Sequence, residues 1–226
     1  MRKIFLALLL AMPLMAEAQS EWEVPTNDQT KTAVKQEVKK KTKHVEAADS
    51  ADLPYLRGAV PEIDGKVVFT LDRDVPGMSA DSIYNRVYAY MEMLIRQPNQ
   101  HDISRIALVN KSRHIIAARM KEDLVFFSSF LSLDRTVFNY MLIATCTDQH
   151  LHLTMDRLSY EYVLYEYEMD RSTGFSETAE ELITDKKAVN KKGTKLVRGV
   201  AKFRRKTIDR KDDVFEGICK ALNIKY

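Results

Sequence analysis

The feature that most constrains this chain is a pair of long strand-like stretches between Thr136 and Tyr162, separated only by Asp148-Gln149. Apolar residues recur at every second position of the first, and apolar and polar residues alternate from His150 to Asp156 in the second. Successive side chains of an extended strand point to opposite faces. Phe138, Tyr140, Leu142, Ala144 and Cys146 therefore share one face of the first stretch. Leu151, Leu153 and Met155 share one face of the second, with His150, His152, Thr154 and Asp156 on the other. Thr136–Thr147 and His150–Tyr162 read as a long hairpin.

The flanks supply more strands and a covering layer. Arg105–Val109 and His114–Lys121 read as strands across an Asn110-Lys111-Ser112 turn, and Leu124–Phe130 extends the second or forms a short strand of its own. Gly65–Leu71 has β-rich composition and reads as the first strand. Between these, Ile83, Val87, Tyr90, Met91, Leu94 and Ile95 recur at helical spacing, with Ser79 as cap and Pro98 as stop. Thr178-Ala179-Glu180-Glu181 fits a capping box for a short helix. Asp209–Asn223 forms a last amphipathic helix with Val214, Phe215, Ile218, Cys219 and Leu222 inward. The order is strand, helix, four strands, helix. The expected class is α+β, an antiparallel sheet of about five strands with two helices on one face.

The N-terminal region has a different character. Arg2 and Lys3 precede an apolar run, Ile4–Met15, and Ala16-Glu17-Ala18 offers small residues where a signal peptidase reads. The run is about twelve residues long, whereas crossing a bilayer takes roughly 20. Residues 1–18 are read as a signal peptide, 19–52 as a flexible polar tether, and 53–226 as a single α+β domain. The reading implies export to the periplasm or the medium, a mature chain starting at Gln19, and no membrane-spanning segment after cleavage. Lys39-Lys40-Lys41-Thr42-Lys43 lies in the tether, where peripheral contact with anionic lipid is an alternative to plain solvation.

A formal net charge of +3 over 226 residues demands neither nucleic acid nor an anionic surface. Cys146 and Cys219 are the only cysteines, and both lie on apolar faces. Two alternatives stand for them, buried free thiols or a disulfide, which an exported compartment permits.

Tyr55-Leu56-Arg57-Gly58-Ala59-Val60-Pro61, Gly65–Phe69 and Ser79–Tyr84, followed by Leu133-Asp134, Phe138-Asn139-Tyr140 and Tyr160-Glu161-Tyr162, carry a resemblance. They look like an uncharacterised exported family of Gram-negative bacteria, a domain of unknown function with a TATA-box-binding-protein-like fold. The resemblance covers Leu53 to the C-terminus. It implies a curved antiparallel sheet backed by two helices and carries no site residues across. The stretch Thr173–Arg205 is longer than such a fold requires. Fold alone does not bring DNA binding, and nucleic acid is not expected as a partner.

Motifs with a known mechanism are missing from the sequence, and no cofactor is expected. Four weaker patterns are candidates. His150, His152 and Asp156 would share a strand face and could converge on a metal. His101-Asp102 and His114 could supply acid–base chemistry. Tyr160 and Tyr162 are either half-buried strand aromatics or a platform for a sugar or peptide. Lys186–Lys206 holds ten basic residues and no acid, so Lys191, Lys192, Lys195 and Arg198 could meet an anionic partner; charge balance within the chain is the plainer alternative. The resulting expectation is a non-catalytic exported binding module for a protein, glycan or lipid of the cell envelope. An unrecognised metal-dependent hydrolase and a structural or assembly protein of the envelope are the alternatives.

Overall fold

The computed structural model describes residues 50–130, 133–166 and 171–226. The signal-peptide reading, and the tether up to residue 49, lie outside the described residues.

A 3-10 turn at Ser50–Tyr55 leads into a tiny hairpin, β1 (Glu62–Ile63) and β2 (Lys66–Val67). Asp64 and Gly65 both have positive φ there, 50° and 73°, as a two-residue turn matched to strand twist requires. After Val68 the chain enters β3 (Phe69–Asp74) and then α1 (Ala80–Ile95). The expected Gly65–Leu71 strand is thus divided between a hairpin and a sheet. The Ser79 side chain accepts from the Ser82 amide and caps α1. The chain then runs through β4 (Arg105–Asn110), β5 (Ile115–Ser128), β6 (Leu133–Thr147), β7 (His150–Glu166) and β8 (Arg171–Thr178). Two short helices, α2 (Ala179–Leu182) and α3 (Asp185–Ala188), precede α4 (Ala201–Ala221).

The main sheet has six strands in the order β3-β7-β6-β5-β4, with β8 also paired to β7, and every pairing is antiparallel. The α+β antiparallel class is as expected, with one strand more than the five of the path β3-β7-β6-β5-β4. The added strand is β8, whose Ser172–Ser176 segment lacks a sustained apolar alternation. It is held by its ladder to β7 and by Phe175, which packs on Tyr162 and Phe203. Leu124 to Ser128 continues β5.

One face of the sheet carries the core. Ile116, Ala118, Met120, Phe138, Tyr140, Leu142, Leu151, Leu153 and Met155 meet Ile83, Val87, Met91 and Leu94 of α1 and Phe203, Val214, Phe215 and Ile218 of α4 in one cluster. Cys146 and Cys219 are buried free thiols within it, so the disulfide alternative is not realised. Burial alone pushes the Cys146 thiol up to about 12. The two helices touch closely at Gly217, where an added Cβ would collide with the Tyr90 hydroxyl.

α4 begins eight residues before the expected Asp209. The reason is long-range anchoring that local charge patterning does not reveal. Arg204 is fully buried and donates to the carbonyls of Tyr55, Leu56 and Ile183 and to Asp185. Arg210 grips Glu122, itself fully buried on β5, through two bonds of 2.6 and 2.7 Å. These contacts hold the basic first half of α4 onto the domain.

Candidate functional site

The structure disperses the metal triad read from sequence. His152 lies opposite Asp72 across the β3–β7 ladder, and His150 opposite Asp74. His152 Nδ1 is 2.8 Å from Asp72, and His150 sits 2.8 Å from Asp72 and 3.0 Å from Asp74. The His152 hydrogen bond, with the charge of both histidines behind it, holds the Asp72 carboxyl below its ordinary range. Asp156 is further along β7 and joins neither imidazole. No group of three or more His, Cys, Asp or Glu among the described residues is arranged to hold a metal ion.

The acid–base candidates also separate. His101 pairs with Asp123 at 3.1 Å, not with Asp102. His114 pairs with Asp81 at 2.9 Å.

Tyr160 and Tyr162 form no exposed platform. Tyr160 is fully buried against Phe138 and Phe203, with its hydroxyl 2.7 Å from that of Thr207. Tyr162 donates to Asp134 at 2.8 Å and lies beneath the Lys202 ammonium, 4.5 Å from the ring centroid. Both share the parity of Leu158, which places them on the core face.

The basic stretch is partly consumed by the fold. Arg204 is internal, Arg205 binds Asp52, and Lys202 binds Asp134. Lys191, Lys192, Lys195 and Arg198 are exposed on the connection between α3 and α4. The Asn190 side chain organises that loop by accepting from the amides of Thr194 and Lys195.

A different place has the geometry of a site. On the side of β7 away from β6, β3 pairs with residues 150–155 and β8 with residues 159–166. Asp156, Arg157 and Leu158 fall between, where neither strand reaches. On its other side β7 bulges here: Met141 faces Asp156, Asn139 faces Ser159, and Arg157 has φ +53°. A bulge inserts an extra residue and re-aims side chains. The β1–β2 hairpin and α2 flank the gap, joined by the Val67 amide donating to Glu180 at 2.9 Å.

Two adjoining depressions meet at Arg157 and Ser159. One, of about 630 Å³, is lined by Ile63, Lys66, Val68, Asp156, Leu158 and Thr178 among others. The other, of about 380 Å³, lies on the sheet face turned away from the helices, between Arg119, Asn139, Met141 and Glu161. One carboxylate oxygen of Asp156 is buried with no hydrogen-bond partner, and burial pushes this carboxyl up, against a weaker opposing pull from Arg157. A perturbed, underpartnered acid in a cleft marks a candidate site. Glu161 is the counterpart. Partial burial pushes its carboxyl up, yet bonds from Lys121 at 3.0 and 3.1 Å and from Asn139 at 2.9 Å hold it net below the ordinary range.

The sequence reading missed this place, although one signal pointed to it. Leu151, Leu153 and Met155 are core-facing at odd positions, whereas Leu158, Tyr160 and Tyr162 are core-facing at even ones. The parity switch requires an inserted residue between Met155 and Leu158.

The comparisons with known proteins agree with this architecture. The model of a domain of unknown function, DUF4468, with TBP-like fold matches residues 69–161, a span that includes the bulge. A DUF4468 family protein from Bacteroides ovatus ATCC 8483 has a solved structure with 42% identity. The match covers 76% of this chain and 94% of that chain with a TM-score of 0.68. A TBP-like protein from Parabacteroides distasonis ATCC 8503 is similar at 18% identity, over 74% of this chain and 99% of that one, with a TM-score of 0.54. That second likeness concerns the fold alone. No curated protein matches the chain.

Proposed function

The chain belongs to the DUF4468 family of unknown function, and from that premise we propose that it is a non-catalytic, exported binding module whose working surface is the open sheet face at the β7 bulge. The observation that carries this reading is the pair of depressions meeting at Arg157 and Ser159. Ligand sites are concave, with apolar lining and a few convergent polar groups. Ile63, Val68 and Leu158 supply the first, and Lys66, Asp156 and Arg157 the second. Export is supported by the basic start, the apolar run Ile4–Met15 and Ala16-Glu17-Ala18. Among the described residues no helix is long and apolar enough to cross a membrane.

The test is a thermal-shift screen of the purified protein against envelope glycans, lipids and peptides. A ligand at about 100 times its dissociation constant adds roughly 2.7 kcal/mol, a shift of several degrees for a domain of this size. A hit abolished by Arg157→Glu supports the reading. A hit indifferent to every change around the bulge refutes it. Export is tested by intact mass of the protein recovered from its host: a chain beginning at Gln19 is expected, and a retained Met1 overturns it.

One observation favours an assembly role as the second reading. Phe127, Phe130 and Leu133, at the β5–β6 end of the sheet, are 57%, 100% and 54% exposed. Single exposed apolar residues are ordinary, but a cluster at one end of a sheet fits contact with a partner surface. Phe130→Ser would then reduce co-purification of an envelope partner without changing the thermal midpoint.

A further inference from the structure

The outer face of the sheet can be mapped row by row from its ladders. Ala117, Ile143, Thr154 and Thr70 form one row, and Ile115, Thr145, His152 and Asp72 another. On the other side of the Ala117 row, two residues along, runs the row Arg105, Arg119, Met141, Asp156. The one after it runs Lys121, Asn139, Ser159.

The row headed by Arg105 has an unusual charge arrangement. Arg105 and Arg119 are directly opposed partners across β4 and β5. Like charges placed so are mutually destabilising. Both side chains are exposed, and among the described residues neither has an acid within ion-pairing distance. Arg157 stands across the 380 Å³ depression from Arg119, and its nearest carboxylate oxygen, on Asp156, is 4.0 Å from Nε. Lys121 and Glu161 neutralise one another at 3.0 Å. The depression thus holds an excess of positive charge, and Ser159 lines it together with the two arginines. An Arg fork matches the paired oxygens of a carboxylate or phosphate and holds them by two parallel bonds.

We infer that the depression between Arg119 and Arg157 binds an oxyanion group of the ligand, a phosphate or a carboxylate, with Arg105 adding field from the neighbouring strand and Ser159 donating a hydrogen bond. Met141 and Ile143, which line the way along β6, take the apolar part of the molecule. This inference rests on the reading of the outer sheet face as the working surface and names the chemistry it recognises. Among the described residues the fold leaves Arg105 and Arg119 without an ion-pair partner and gives Arg157 only the long 4.0 Å contact to Asp156, and Arg157, the left-handed residue of the bulge, lines the same depression as Arg119.

The experiment is an NMR titration of the purified, isotope-labelled protein at low ionic strength, with inorganic phosphate in one arm and acetate in the other. Saturable shifts are expected at the amides of Arg119, Asn139, Arg157 and Ser159. The double variant Arg119→Gln/Arg157→Gln weakens that binding at least tenfold. Both side chains are exposed, so the variant folds, as an unchanged thermal midpoint checks. Lys191→Gln/Lys192→Gln on the α3–α4 loop leaves the titration unchanged. Tighter binding of phosphate assigns the site to phosphate esters, and tighter binding of acetate to carboxylates; either supports the site. Shifts that fail to saturate, or that persist equally in the double variant, overturn it. If the anion titration is flat while a screened ligand still depends on residues around the bulge, the anion site falls and the binding module stands. If the anion binds but no ligand depends on this face, the wider reading is the one that falls.

Discussion

Arg204 offers the sharpest test of how this domain is held together, because its sequence context suggests a surface charge and its position denies that. Substituting Arg204→Met keeps the aliphatic stem and removes the guanidinium. Among the described residues, the Tyr55 and Ile183 carbonyls then lose their only side-chain donor, and the Leu56 carbonyl keeps the 3.1 Å bond from the Ala59 amide. Asp185 retains the Gly58 amide at 2.7 Å but loses its cation. Each buried polar group left unpaired costs about 1–3 kcal/mol. Two orphaned carbonyls and an uncompensated carboxylate therefore come to about 4 kcal/mol, within the roughly 3–5 kcal/mol typical of breaking a buried pair from one side. With a urea slope of about 2 kcal/mol per molar, the unfolding midpoint falls by about 2 M. Far-UV circular dichroism is the right probe, since the single tryptophan, Trp22, lies outside the described residues. Arg198→Met, at an exposed position on the same basic stretch, serves as control and moves the midpoint by less than about 0.3 M. Equal effects of the two substitutions would refute the internal role of Arg204.

Three further outcomes follow from particular contacts. Gly217→Ala gains up to about 1 kcal/mol in helix propensity but drives a Cβ into Tyr90, which costs about 1–3 kcal/mol. The thermal midpoint drops by a few degrees, and in a Tyr90→Leu background the same change becomes stabilising. Asp72 has its carboxyl held down by His152, so its pairing supports the fold above the ordinary carboxylate range and is lost as pH falls through the lowered value. Asp72→Asn is thus less stable than wild type near neutrality, and acid titration of the midpoints makes the two converge below about pH 4. Asp156 has the opposite sign: burial raises its carboxyl, so ionisation opposes folding at neutral pH. Asp156→Asn raises the midpoint at pH 7, and the gain shrinks on acidification; a gain independent of pH would exclude ionisation as the cause.

The sheet was legible wherever one face is buried. The period-two apolar positions of 136–147 and the alternation in 150–155 reported the core face directly, and the helical spacing of Ile83, Val87, Met91 and Leu94 reported α1. Export and the tether stand on sequence alone. What stayed hidden was held by partners distant in the chain. Glu122 sits on the buried parity of β5, between Met120 and Leu124, and is fully enclosed. Its partner Arg210 lies 88 residues later, and no local pattern connects them. β8 exists because β7 and Phe203 receive it, and its own residues give little strand signal.

The site was obscured for a more specific reason. Reading His150, His152 and Asp156 as one set assumed that side chains on one strand face belong to one environment. They share a face, but strand geometry spaces residues four apart by about 13 Å, and each position answers to its cross-strand neighbour first. Opposite His150 and His152 stand Asp74 and Asp72 on β3. Opposite Asp156, β3 has already ended. The acid therefore keeps an oxygen with no hydrogen-bond partner, while each histidine is paired with a β3 carboxylate. What distinguishes the candidate site is where the ladder stops, and the parity switch between Met155 and Leu158 marks that point in the sequence itself.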